Sequence, residues 1–248
     1  MIEVRDLRKA FGTHKILDGV NFRIERGESV VIIGRSGGGK SVLLKQLVGL
    51  MKPDSGQVLI EDEDIVPMNE RSLLRVRAKF GMLFQGSALF ASMTLAENIA
   101  FPFRKRKDLS PAEISKKVSG ALEVVELPGT EQKKPSELSG GMRKRVGLAR
   151  AIVYEPEIVL YDEPTTGLDP IVSDSIDKLI IRVRDRLNVT CIVVTHDMRS
   201  ARRVGNRILM LHDRRMYASG TPDEIFSSQD PVVRRFIEGI SDPREQLF

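Results

Sequence analysis

Apolar and polar positions change their period several times along the chain, and each change marks a predicted element. β-rich stretches at Ile2 to Leu7 and Ile16 to Ile24 lead through a turn at Arg26-Gly27-Glu28 into Ser29-Val30-Val31-Ile32-Ile33. That unbroken run reads as a buried strand. Val42 to Leu50 then shows helical spacing, Pro53-Asp54-Ser55-Gly56 is a turn, and Gln57 to Ile60 resumes strand character. From about residue 70 to 155 the pattern is mostly helical, with Ser110-Pro111-Ala112-Glu113 forming a capping box that has proline at the first helical position. A helical insertion is the simplest reading. Strands at Ile158 to Tyr161 and Val189 to Val194, with a helix from about Ile171 to Leu187 between them, make a βαβ unit, which implies parallel strands and an α/β core. Beyond a strand at Ile208 to Leu211, Thr221-Pro222-Asp223-Glu224 caps one helix. Asp230-Pro231 opens a last one, with Val232, Val233, Phe236 and Ile237 on one side.

Composition narrows the class. The 248 residues suit one large domain with an insertion, or a domain and a half. An apolar content of 41% with 29% charged residues is globular and excludes disorder or a collagen-like fibre. The one cysteine, Cys191, has no partner for an internal disulfide and lies in the apolar run Cys191 to Val194. It reads as core packing in a reducing compartment. No apolar stretch approaches the roughly 18 residues that span a bilayer, and Met1-Ile2-Glu3-Val4-Arg5 lacks a secretion pattern, so a soluble cytosolic chain is expected. The net charge of +5 suits anionic partners such as nucleotides, nucleic acid or lipid headgroups, and selects none of them.

Candidate chemistry begins where the buried strand ends. Gly34-Arg35-Ser36-Gly37-Gly38-Gly39-Lys40-Ser41 fits G-x-x-x-x-G-K-[S/T] and has a strand before it and, from Val42, a helix after it. Glycines let backbone N–H groups curl around phosphate oxygens at a helix N-terminus, where the dipole also favours negative charge. Lys40 would reach the β and γ phosphates and the Ser41 hydroxyl would ligate Mg²⁺. Such a site needs an acidic partner at a strand end, and Asp162 supplies it, with Glu163 beside it to orient and polarise the attacking water. A second anion cradle occurs at Leu138-Ser139-Gly140-Gly141-Met142, ahead of a helix with Val146, Leu148, Ala149, Ile152 and Val153 as its apolar residues. One ATP does not need two such cradles from one chain.

On these residues the sequence resembles the ATP-binding cassette (ABC) ATPases over nearly its whole length. The resemblance implies a P-loop NTPase core with an N-terminal antiparallel β subdomain and an inserted α-helical subdomain. Residues 1–85 and 156–225 would form the catalytic core with the β subdomain, 86–155 the helical subdomain with the signature loop, and 226–248 a C-terminal helical tail. It also implies a head-to-tail homodimer in which the phosphate loop of one copy faces Ser139, Gly140 and Gly141 of the other across a shared ATP. Carried over residue by residue, Phe11 becomes the adenine-stacking aromatic, where the family more often has tyrosine. Gln85 becomes the glutamine that senses Mg²⁺ and γ-phosphate and relays to the membrane partner. Asp169 falls in the loop that links the two sites, and His196 is the switch histidine beside Glu163. Unaided, Phe11 would read equally as core packing and Asp169 as a helix cap. His14 and His212 read as surface residues. Met142 departs from the glutamine of many relatives.

Cargo is a finer question. The Leu138 to Met142 variant, the stretch Phe84-Gln85-Gly86-Ser87-Ala88-Leu89-Phe90 and the tail from Asp230 to Ile240 together resemble the ATPase subunit of Mla-type (Mce-associated) bacterial phospholipid transport systems. The resemblance implies integral membrane permease partners, accessory regulatory and substrate-binding subunits, lipid handled by those partners, and a place on the cytoplasmic face of the inner membrane. Within Ser87 to Phe103, Leu89, Phe90, Met93, Leu95, Phe101 and Phe103 either form a groove for a permease helix or pack the insertion. Arg104-Lys105-Arg106-Lys107 reads as a solvated loop in preference to a headgroup contact. The alternatives are a soluble ABC ATPase acting on DNA or ribosomes, or a transporter of another cargo such as amino acids or lipoprotein. Long coiled coils, zinc cysteines or a second cassette would mark the former, and none is present, so no nucleic acid is expected.

Overall fold

The N-terminal alternation folds as an antiparallel sheet. β1 (Ile2–Phe11) pairs with β2 (His14–Ile24) and carries Ile2, Val4 and Leu7 into the core. β3 (Ser29–Gly34) is buried at every position, as its unbroken apolar run requires. It empties into α1 (Lys40–Leu47), after which β4 (Ser55–Ile60) and the short β5 (Glu63–Asp64) complete a four-stranded sheet in the order β2-β1-β4-β5. The computed structural model describes residues 1–105 and 108–241. It divides into two compact units, Met1–Pro67 with the chain from Val194 onward, and Met68–Val193.

The second unit opens with α2 (Glu70–Arg77), capped by the Asn69 carboxamide oxygen, which accepts from the Ser72 N–H at 2.9 Å. β6 (Phe80–Leu83) follows, inside the stretch whose pattern is mostly helical. Four residues are too few for periodicity to separate a strand from a buried helical turn, which is why it is missed. Then come α3 (Leu95–Ala100), α4 (Pro111–Val124) and α5 (Gly140–Ile152). The expected capping box is formed: the Ser110 N–H donates to the Glu113 carboxylate at 2.7 Å and the Glu113 N–H to the Ser110 hydroxyl at 3.3 Å. β7 (Ile158–Asp162), wholly buried, runs parallel to β6, and α6 (Pro170–Leu187) leads to β8 (Thr190–Thr195), β7's other neighbour. This is the βαβ unit of the sequence.

The residues of Ser87 to Phe103 divide between the core and the surface. Leu95 and Phe103 are core residues, Phe103 packing on Tyr154 at 4.5 Å, whereas Phe90 is exposed and stacks on Phe101 at 4.5 Å. Buried Asn98 fixes that segment: its oxygen accepts from the Phe90 N–H, and its amide donates to the carbonyls of Phe90, Met93 and Thr94. The Arg104 guanidinium lies 4.8 Å from the Phe101 ring centre, while Arg106 and Lys107 lie outside the described residues.

Back in the first unit, α7 (Met198–Val204) precedes β9 (Arg207–His212), parallel to β3, and β10 (Arg215–Gly220), antiparallel to β9. β10 has no buried position, so it shows no apolar signature and is absent from the elements the pattern predicts. α8 (Pro222–Phe226) and α9 (Pro231–Glu238) start at the Thr221 and Asp230 caps. His212 is half-buried, edge-on to Tyr217, whose hydroxyl donates to the Asp230 carboxylate at 3.0 Å. Among the described residues no helix is long and apolar enough to cross a membrane.

Candidate functional site

The glycine-rich turn at the end of β3 has the backbone that a phosphate cradle needs. A Cβ on Gly34 would lie 2.5 Å from the Leu211 carbonyl oxygen, and Gly37 and Gly39 have φ of 74° and 97°, which side chains disfavour. Arg35, Ser36 and Gly37 are exposed, and Gly38 closes the turn, its N–H donating to the Arg35 carbonyl at 3.0 Å. The first turn of α1 contains no acidic residue and its N-cap, Gly39, offers no side-chain cap; Ser41 and Val42 are half-buried. The Lys40 ammonium, only 5% exposed, donates to the carbonyls of Gly34 at 2.8 Å and Arg35 at 3.0 Å, which holds it within the loop. Phe11 is 50% exposed at the tip of the β1–β2 hairpin, so it is not a core residue. The hairpin adjoins the loop: a Cβ on Gly39 would meet Ile16 at 2.8 Å. His196, also in this unit, is exposed just after β8, ahead of the Asp197 cap of α7.

In the second unit, β7 delivers Asp162 and Glu163 at its end, both nearly buried. Glu163 has a left-handed backbone, φ 49°, and its carboxylate accepts from the Thr166 hydroxyl at 3.1 Å. Behind them Tyr161 is wholly buried, its phenol pushed well up by burial, and burial pushes the Cys191 thiol up to about 12, as befits an inert core residue. Gln85 is exposed beyond β6. Ser139 caps α5, its hydroxyl accepting from the Met142 N–H at 3.3 Å, and Gly140 and Gly141 are held close to Leu168 and Val172. The carboxylate of Asp169 caps α6, accepting from the N–H groups of Ile171 at 2.9 Å and Val172 at 3.0 Å. Ser139-Gly140-Gly141 and the Asp169 loop therefore abut one another within a single unit.

The description "ABC transporter" matches residues 17–166, well over half of the chain. The chain belongs to the ABC transporter family. As an ABC ATPase it binds ATP, and its likeness extends beyond the matched region. A protein of Mycobacterium leprae named probable ribonucleotide transport ATP-binding protein mkl is 43% identical over 96% of this chain and 69% of its own length. The intermembrane phospholipid transport system ATP-binding protein MlaF of Haemophilus influenzae is 40% identical over 98% of this chain and 92% of its own. Among solved structures, a dimeric post-hydrolysis state of the ATP-binding cassette MJ0796 bound to ADP and Pi has a TM-score of 0.81 at 33% identity, covering 90% of this chain and 99% of that one.

Two cations of this ABC ATPase that the motifs do not include lie beside them. Lys144, 5% exposed, donates to the Gln85 carbonyl and, at 3.2 Å, to the Glu163 carbonyl. Burial lowers its pKa, opposed by the carboxylates of Asp162 and Glu163. Arg150 donates to the carbonyls of Ser87 and Ala88, each at 2.8 Å. A signal for Lys144 exists: Gly141, Lys144, Leu148 and Ile152, spaced three, four and four apart, form one inward stripe of α5.

Proposed function

We propose that this ABC ATPase drives phospholipid transport as the nucleotide-binding subunit of a membrane complex of the Mla type, hydrolysing ATP in a head-to-tail homodimer. The end-to-end likeness to MlaF, which includes the C-terminal tail, carries this reading. In it, backbone N–H groups of the phosphate loop and the Lys40 ammonium bind the phosphates, and the exposed Phe11 ring receives the adenine. Ser139, Gly140 and Gly141 of a second copy close the site, Asp169 lies in the loop that links the two sites, and His196 contacts the γ-phosphate beside Glu163. Glu163, steadied by Thr166, accepts the proton of the attacking water. Mg²⁺ suits the donor set, one hydroxyl at Ser41, one carboxylate at Asp162 and the amide of Gln85, because this ion keeps waters and substrate oxygens in most of its shell. When bound it supplies charge neutralisation at the phosphates. The permease partners place the chain on the cytoplasmic face of the membrane, with accessory subunits around them.

Glu163→Gln is expected to keep ATP affinity and lose about 10²-fold or more in turnover, measured as phosphate release. Normal turnover would remove Glu163 from the base role. The name of the mycobacterial relative favours a second reading, with ribonucleotide as cargo. Isolation of the native complex from solubilised membranes separates the two: integral subunits with bound phospholipid support the proposal, and a complex that carries ribonucleotide and no lipid contradicts it.

A further inference from the structure

We propose that Lys144 is a positioning residue whose single ammonium fixes the backbone at Gln85 and at Glu163 together. The loop carrying the glutamine and the turn carrying the water-activating carboxylate then follow α5 as one body. The inference rests on the role assigned above to Glu163.

Three observations carry it. First, the ammonium bridges two carbonyls from different elements, one beyond β6 and one beyond β7, and both belong to the residues assigned to the γ-phosphate. Second, the backbone it supports is strained: Glu163, Ser87 and Ala88 have φ of 49°, 59° and 49° without being glycine. Such conformations persist only where surrounding contacts over-determine them, and they cluster at sites where geometry matters. Arg150, two turns along α5, holds the carbonyls of Ser87 and Ala88 and so clamps the same loop at a second point. Third, packing alone would be served by an apolar side chain of similar volume, since a buried ammonium bears a desolvation cost that methionine does not. Lysine at this position is explained by its donors. Ser139 caps α5, so a displacement of the Ser139-Gly140-Gly141 segment reaches Gln85 and Glu163 through one side chain.

The test uses the full chain and four variants: Lys144→Met, Lys144→Arg, Lys144→Gln and Glu163→Gln. Affinity for a fluorescent ATP, kcat, KM and thermal midpoint are measured for each. Lys144→Met is expected to lower kcat about tenfold or more, while ATP affinity stays within about threefold, and Lys144→Arg, which keeps cation and donors, recovers most of the loss. If Lys144→Met does not fold, Lys144→Gln is judged by the same kcat-against-affinity split. A folded Met variant with kcat within about twofold of the parent overturns the inference, as does a loss that arginine does not recover or one matched by equal loss of ATP affinity. An inactive Glu163→Gln beside a fully active Lys144→Met defeats this inference alone. An active Glu163→Gln defeats the reading beneath it.

Discussion

At the scale of single residues, the site divides into groups whose work is local and groups whose work depends on distant chain. Gly34 to Ser41 belong to the first kind. Backbone curl, positive φ and a helix start all arise within eight residues, so a pattern suffices to find them. Lys40→Ala is expected to weaken ATP binding by at least about tenfold in titration with a fluorescent analogue, because it removes the ammonium from the phosphates; unchanged affinity would contradict the phosphate-loop reading. Lys144 belongs to the second kind. Between Arg143 and Arg145 it looks like one more solvated charge, and its role rests on carbonyls 59 and 19 residues away. Cys191 is legible for a simpler reason, its apolar neighbours. With its thiol buried and pushed up to about 12, it is expected to stay unlabelled by a thiol reagent at neutral pH in the native protein and to react once denatured.

Elements are held in register by close approach and by charge. β6 and α5 touch through glycines: a Cβ on Gly81 would lie 2.2 Å from the Ala151 carbonyl oxygen, and one on Gly147 2.8 Å from Leu83. Since backbone cannot yield as a side chain does, Gly81→Ala is expected to cost about 1–3 kcal/mol in denaturant unfolding. Glu126 joins α5 to α6, accepting from Arg182 and Arg145, and these bonds hold its carboxyl below the usual range. A carboxylate with a depressed folded pKa stabilises above its unfolded pKa, and that contribution is lost as pH falls through the folded one. Because the pair is partly exposed, the effect is about 1 kcal/mol or less, and Glu126→Gln should flatten the acid limb of the stability profile in urea titrations below pH 5. Strong apolar runs such as β3 and β7 are legible as strands. β6, four residues long, and β10, with no buried face, carry no periodic signal, and their pairing with β7 and β9 supplies what the sequence pattern lacks.

On the scale of the whole molecule, the two anion cradles belong to different compact units, Gly34 to Ser41 in the first and Ser139 to Gly141 in the second. In the proposed homodimer they serve two different ATP molecules, so the working species of that reading is a pair of chains. Family membership was legible from motifs, while cargo rests on likeness to MlaF and on the experiment with native membranes. The pairing itself is open to direct measurement by sedimentation. The Glu163→Gln chain, 27.8 kDa before substitution, should double in mass when ATP and Mg²⁺ are added and return to a single copy when Ser139→Arg is combined with it. A chain that stays monomeric with ATP, or a dimer indifferent to Ser139→Arg, would contradict the shared site.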